Sequence, residues 1–386
     1  MMTKTRIVFI LGLVGLLLVG LFAALTGHEN SGPQAQLVAQ IEPVGDFSRA
    51  TGPQPLVFPA DHGAHPDYQT EWWYYTGNLQ TNEGRHFGYQ LTIFRSALKA
   101  PNDQQDRPSS WAADQIYMGH FAVTDVATER HEAFERFSRG AAGLAGAQAP
   151  PHEVWLEDWR IEELAPRVYR LRASQDEVAL DLQLTDLKGP VLQGENGYSQ
   201  KGPEPGNASY YYSLTRLASA GRIHIGDTIY DVDGLSWMDH EFSTSALGSD
   251  LVGWDWFSIQ LDDGSELMLY QFRKADGTID RFSNGTIIDP SGQTTSLSHD
   301  AFRVSSEATW HSPRSGASYP SEWIITVPDE ELTLMLKPHV ADQEMNVSIT
   351  YWEGAVKASG TRNGRPVTGN GYVELTGYAH SMQDRL

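Results

Sequence analysis

The sequence predicts an all-β chain: two tandem antiparallel β-barrels behind an N-terminal hydrophobic helix. Three observations carry this. Short runs alternate apolar and polar residues, glycine-bearing turns separate them, and one aromatic hairpin pattern occurs twice. The length of 386 residues is enough for two domains with full cores.

Residues 7–25 carry no charge and follow Lys4 and Arg6. As a helix this run is about 28 Å long, enough to cross a hydrocarbon core. Basic residues ahead of it direct the following chain out of the cytoplasm. Residues 1–27 are therefore expected to be a signal peptide or a membrane anchor, and the protein extracytoplasmic, either periplasmic or secreted. Residues 28–55 are rich in Gly, Pro, Gln and Ser without periodicity, and read as a linker.

Strand patterns start beyond Leu56. Segment 87–93 places Phe87, Tyr89, Leu91 and Ile93 on one face, and segment 177–184 does the same for Val178, Leu180, Leu182 and Leu184. Runs at 323–327, 332–336 and 347–351 continue the habit. Helical spacing is confined to two short stretches, 128–138 and 297–302. Turn signals such as Asn82-Glu83-Gly84, Asp262-Asp263-Gly264 and Asn363-Gly364 fall between runs.

The repeat joins the halves of the chain. Trp72, Trp73, Tyr74 and Tyr75 lead through Asn78, Leu79 and the turn at Gly84 to Phe94-Arg95. Trp254, Trp256 and Phe257 lead through Gln260, Leu261 and the turn at Gly264 to Phe272-Arg273. A duplicated β unit at an offset of about 180 residues explains the shared order. It divides the chain at Gly221 or Gly226 into domains 56–222 and 223–386. Barrels of about eight strands enclose one small hydrophobic ligand; a two-sheet sandwich is the competing architecture.

Composition excludes several functions. A net charge of −21 argues against nucleic acid as a partner. The absence of cysteine removes disulfides, thiolate nucleophiles and lipid attachment through a lipobox. Gly-x-Ser-x-Gly elbows and Gly-rich phosphate loops are absent, and no cofactor is expected.

The densest candidate site is Trp237-Met238-Asp239-His240-Glu241-Phe242. In a strand, Asp239 and Glu241 point one way and Met238, His240 and Phe242 the other. A histidine flanked by carboxylates suits general acid–base work, and equally a hydrogen-bonded histidine at a domain junction with two solvated acids. Tyr270 shares an apolar face with Met268 and Phe272, as a proton partner or as a core tyrosine. Trp72, Trp73, Tyr75, Trp237, Phe242, Trp254, Trp256 and Phe272 are candidates to line a ligand cavity. Glu71 and His120 are secondary acid–base candidates. His62, His65 and Asp67, or Asp239, His240 and Glu241, offer metal donors, but neither set has a recognised spacing and no metal is expected.

Six segments in order, TEWWYYTGN at 70–78, MGHFAVTD at 118–125, GYSQKG at 197–202, SYYYSLTR at 209–216, WMDHEF at 237–242 and WDWF at 254–257, resemble the AttH-like proteins. These are grouped with the lipocalin-like carotenoid 1,2-hydratases and often described as secreted hydrolases. The resemblance runs from Leu56 to the C-terminus. It implies two tandem lipocalin-like barrels with a hydrophobic cavity, and a genomic association with ABC transporters. Carotenoid hydratases carry a His-x-Trp pattern and a later Tyr-x-Asp. Here these read His240-x-Phe242 and Tyr270-x-Phe272. A phenyl ring donates no proton, so Phe272 argues against strict carotenoid hydration.

Three function classes follow. The first is a hydratase or hydrolase on a lipophilic isoprenoid or lipid, with His240 as acid or base, Tyr270 as proton partner, and Asp239 or Glu241 tuning the histidine. The second is a lipophilic carrier; the third is an adaptor for an ABC transporter permease, held at the membrane if the N-terminal helix is uncleaved.

Overall fold

The computed structural model describes residues 45–103, 109, 112–244, 247–248 and 250–383. The expected N-terminal helix and most of the expected linker lie outside the described residues. Among the described residues no helix is long and apolar enough to cross a membrane.

The first sheet takes the strands up to Ser243. They are β1 (Thr70–Gln80), β2 (His86–Ala97), β3 (Gln115–Asp125), β4 (Arg130–Arg139), β5 (Ala145–Gln148), β6 (Glu153–Leu156) and β7 (Trp159–Ala165). Then come β8 (Val168–Gln175), β9 (Val178–Asp186), β10 (Val191–Leu192), β11 (Tyr198–Gln200), β12 (Ala208–Ile225) and β13 (Thr228–Ser243). Their order is β4-β3-β2-β1-β13-β12-β9-β8-β7-β6-β5, with β10 and β11 on β12.

The second sheet holds β14 (Leu251–Leu261), β15 (Glu266–Lys274), β16 (Asn284–Ile288), β17 (Thr294–Ser298) and β18 (Arg303–His311). It continues with β19 (Ser318–Val327), β20 (Leu332–Pro338), β21 (Glu344–Asn346), β22 (Thr350–Arg362) and β23 (Arg365–Leu375). The order is β17-β16-β15-β14-β23-β22-β20-β19-β18, with β21 on β22. The fold is all-β, two barrel-like sheets in tandem.

Each sheet wraps its own core. Trp73, Tyr75, Phe121, Trp159 and Leu171 are buried in the first, and Phe257, Trp323, Leu334 and Val373 in the second. The repeated hairpins are β1–β2 and β14–β15. In both, an arginine near the end of the second strand reaches a buried carboxylate on the first: Arg95 to Glu71 at 2.8 Å, and Arg273 to Asp255 at 2.9 Å.

Four expectations need correction. The domain boundary lies between Ser243 and Leu251, not at Gly221 or Gly226. Gly226 sits at the turn of the β12–β13 hairpin with φ +59°, and β13 pairs with β1 inside the first sheet. Neither helical stretch is a helix: 128–138 falls mostly in strand β4, and 297–302 covers the last two residues of β17 and the turn after it; β4 is an edge strand, half-covered on both faces, so its apolar spacing lacks a period of two. The run 347–351 is broken, since 347–349 turn between β21 and β22. The last part of the expected linker is docked, with Phe47 packed on Ala97 and Ala100, and Ala50 packed on Tyr210 and Phe242.

The sheets meet face to face. Alternation in β1 and β13 sends one set of side chains into the first barrel and the other towards the second sheet. On β1, Trp73 and Tyr75 enter the first core while Tyr74 crosses to Glu353 on β22. On β13, Met238 enters the core while Trp237 joins the layer between the sheets. That layer also holds Tyr211, Trp256, Met268, Tyr270, Phe272 and Tyr372.

Candidate functional site

The period of two splits the expected site residues into two groups on opposite faces of one wall. His240, Trp73, Tyr75 and Phe242 belong to the first barrel. Asp239, Glu241, Trp237, Trp254, Trp256, Tyr270 and Phe272 face the layer between the sheets, with Trp72 packed at its margin. His240 and Tyr270 are therefore not partners. The Tyr270 hydroxyl lies 3.0 Å from Ser199 Oγ, and its ring faces the Lys201 ammonium at 4.5 Å. Asp239 and Glu241 do not touch the His240 ring either, because adjacent strand residues point apart.

The interlayer group is rich in carboxyls. Asp239 is 4% exposed. Its Oδ1 accepts from Ser213 Oγ at 2.5 Å and Trp237 Nε1 at 2.7 Å, and its Oδ2 from the Tyr211 hydroxyl at 2.7 Å. Burial outweighs these bonds and pushes the acid up to about 7. Glu241 accepts from Ser209 and pairs with Lys201 Nζ at 2.9 Å. Burial opposes the charge on Lys201, but Glu241 and Tyr270 outweigh it and hold the ammonium above its ordinary range. Glu374, bonded by Trp254 Nε1 at 2.9 Å, is pushed up to about 7 by burial and by the nearby Asp239 and Glu241. Glu353 is pushed well above the carboxylate range by burial and by Glu374. The layer meets solvent at Trp72, Lys201, Trp254 and Glu374, all half-buried. At another margin a groove of about 400 Å³ opens between the sheets, lined by Asn78, His86, Arg216, Gln260 and Asn370 among others.

The barrel group is built round Glu71. His240 Nε2 lies 2.8 Å from Glu71 Oε1, and His240 Nδ1 lies 2.9 Å from the Tyr212 hydroxyl. That hydroxyl is 2.7 Å from His62 Nδ1. Trp73 stacks on the His240 ring at 4.9 Å and Phe242 on the His65 ring at 3.5 Å. Burial alone would raise Glu71; Arg95, with the hydrogen bonds from His240 and His65, outweighs it and holds the carboxyl well below its ordinary range. Burial lowers His240, and burial with the nearby His240 takes His62 down to about 4. His120 lies apart, between Tyr351 at 2.8 Å and Glu135 at 3.1 Å.

The family model for AttH-like proteins matches residues 49–378. The chain belongs to the AttH-like family. A crystal structure of an AttH protein from Nitrosomonas europaea is 35% identical, with TM-score 0.75, covering 86% of this chain and all of that one. Kievitone hydratase from Nectria haematococca shares the fold at 16% identity and TM-score 0.65, over 87% of this chain and 98% of that one. CghA in complex with Sch210972 shares it at 11% identity and TM-score 0.52, over 87% and 98%. A search of curated proteins found no match.

Several site residues escaped the sequence reading. Lys201, Tyr211, Glu353 and Glu374 complete the interlayer, and Arg95 and Tyr212 complete the barrel group. Glu353 and Glu374 had one available signal: each is an acid inside an otherwise apolar strand run, Tyr351–Val356 and Gly371–Leu375. Arg95 had another, as the residue that closes the repeated hairpin.

Proposed function

We propose that this AttH-like protein is an acid–base enzyme of the hydratase type that takes a lipophilic substrate at the layer between its two sheets. The observation that carries it is the pair Asp239 and Glu241. Both project from β13 into the same aromatic layer, about 6.6 Å apart from the strand rise. Asp239 is enclosed by three donors, and Glu241 is fixed by the half-buried Lys201 ammonium. Two acids in unlike surroundings divide into donor and acceptor roles.

The chemistry balances on these two groups. Asp239 gives its proton to one carbon of an electron-rich alkene. The cation forms on the more substituted carbon, facing the π systems of Trp237, Trp256 and Tyr211, which attract a cation. Water adds there, and Glu241 takes its proton. The reading moves the catalytic acid from His240 to Asp239, because His240 is fully enclosed by Trp73, Tyr212, Phe242 and Glu71. It also supplies the proton donor that Phe272 lacks. Kievitone hydratase supports a hydratase activity on this fold only by name and fold. Residues 7–25 support an extracytoplasmic location, and the family resemblance an ABC transporter as neighbour or partner.

The test incubates the purified full chain with isoprenoid and lipid extracts in heavy-oxygen water. Gain of one labelled water by an extracted compound, lost in Asp239→Asn and Glu241→Gln, is the expected result. Unchanged turnover in Asp239→Asn overturns the assignment, and saturable binding without turnover moves the chain to the carrier class.

A further inference from the structure

The barrel group does more than lock one histidine. His65 Nδ1, Glu71 Oε1 and His240 Nε2 lie within 4.8 Å of one another, with both nitrogens close to the same oxygen, at 2.7 and 2.8 Å. Two imidazoles and a carboxylate are the donor set of open, four-coordinate zinc sites, in which neighbouring donors stand about 3.3 Å apart. We infer that these three atoms form a binding site for a divalent transition metal of the zinc type, with one coordination position left for water.

The surroundings of the three donors point the same way. Ligand histidines and carboxylates are normally held by a bond to their outer atom. Each donor here has one. His65 Nε2 faces Asp61 Oδ1 at 3.2 Å, and His240 Nδ1 faces the Tyr212 hydroxyl at 2.9 Å. Glu71 Oε2 accepts from Arg95 Nε at 2.8 Å and from the His65 amide at 2.9 Å; Oε1 faces the two rings and takes the longer branch of the same amide at 3.2 Å.

Donor counting at His65 supplies the independent argument. Its two ring nitrogens face two carboxylates, Asp61 and Glu71, and ionised carboxylates only accept. A neutral imidazole has a single N–H and leaves one of these contacts without a proton. Either a second ring proton or a metal ion on the Nδ1 lone pair removes the conflict; with the metal in place the remaining N–H serves Asp61. His65 is the partly exposed donor, while Glu71 and His240 are buried. Arg95 opposes the cation by charge, while its bond fixes the one-oxygen mode of Glu71. Neither sequence-spaced donor set assembles as such; one histidine from each meets at Glu71.

The site is tested on the full chain by dialysis against EDTA and titration with Co²⁺ and Zn²⁺. One equivalent of Co²⁺ should produce the intense visible bands of a tetrahedral site, displaced by Zn²⁺. Asp61→Asn, half-buried and outside the donor set, should weaken binding 10–100-fold, as loss of an outer-atom partner does. His65→Gln and His240→Gln should abolish the bands, and His339→Gln should keep them. Failure of the wild-type chain to bind either ion at one equivalent overturns the inference, as does retention of full affinity in Asp61→Asn. A doubly protonated His65 in histidine NMR of the metal-treated protein overturns it too.

Discussion

Glu266 on β15 is fully buried and receives two cations from the first sheet's side of the interface. Lys188 Nζ lies 2.7 Å from its Oε2 and also donates to the carbonyls of Gly264 at 2.8 Å and Asp289 at 2.7 Å. Arg216 Nε bonds Oε1, and its Nη2 reaches the carbonyls of Leu261 and Ser265 at 3.0 and 3.2 Å. Glu266→Ala removes two charge-assisted bonds, each worth about 1.5–3 kcal/mol. The carbonyl bonds remain, so the cations keep part of their solvation. The net loss should be about 3–5 kcal/mol, as for other broken buried pairs. Glu266→Gln should recover less than half, since one amide oxygen accepts while the NH2 group meets the second cation. The assay is urea unfolding followed by tryptophan fluorescence, at low and high salt. A buried clamp is screened little, so the loss should persist at 1 M salt. A loss below 1 kcal/mol, or one that vanishes with salt, refutes the clamp. The triple mutant with Lys188→Met and Arg216→Met should be more stable than Glu266→Ala alone, because no buried cation is stranded.

Three further outcomes follow from the same packing. Asp239 binds its proton more tightly folded than unfolded, so its stabilising contribution is complete below its ordinary range near 3.8 and is lost as pH rises through about 7. Between pH 5 and 7 the wild type should lose about 2–3 kcal/mol relative to Asp239→Asn, measured by urea unfolding at both pH values; parallel curves would count against a buried protonated acid. Gly88→Ala places a methyl 2.7 Å from Ala355 Cβ across the interface; a loss of about 1–3 kcal/mol is expected, and Ala355→Gly in the same chain should restore it. Trp323→Ala, in the second core at 1% exposure, should cost about 3–5 kcal/mol in a thermal or urea melt.

The fold class was legible because alternation survives wherever one face of a strand is buried, as in 87–93 and 177–184. It failed at β4, whose two faces are half-covered alike. The boundary failed for a different reason. A turn glycine at Gly226 looks the same in a hairpin as in a linker, and only the pairing of β13 with β1 distinguishes them. The candidate residues were found by type, since aromatics and acids crowd at 72–75 and 237–242. Their partners were not, because β1, β12 and β13 bring together residues far apart in the chain, such as Glu71 with His240 and Lys201 with Glu241. Alternation announced that Asp239 and His240 diverge, but not that each side would be covered by a different barrel.

That covering is what allows neighbouring residues to carry different chemistry. A surface strand has one useful face, and acids on the other dissolve into water. Here β1 and β13 are a shared wall, dry on both sides. Glu71 and His240 look into the first barrel, where Arg95 supplies the counter-charge that keeps the carboxyl ionised. Asp239 looks into the aromatic layer, where hydroxyl and indole donors do not offset burial and the acid keeps its proton. The difference between a fixed anion and an acid whose proton is held by burial then comes from which partner lies opposite, an arginine or a tyrosine. The second barrel supplies the other dry side, because it brings Trp254, Trp256 and Glu374 against a face that a single barrel leaves in water.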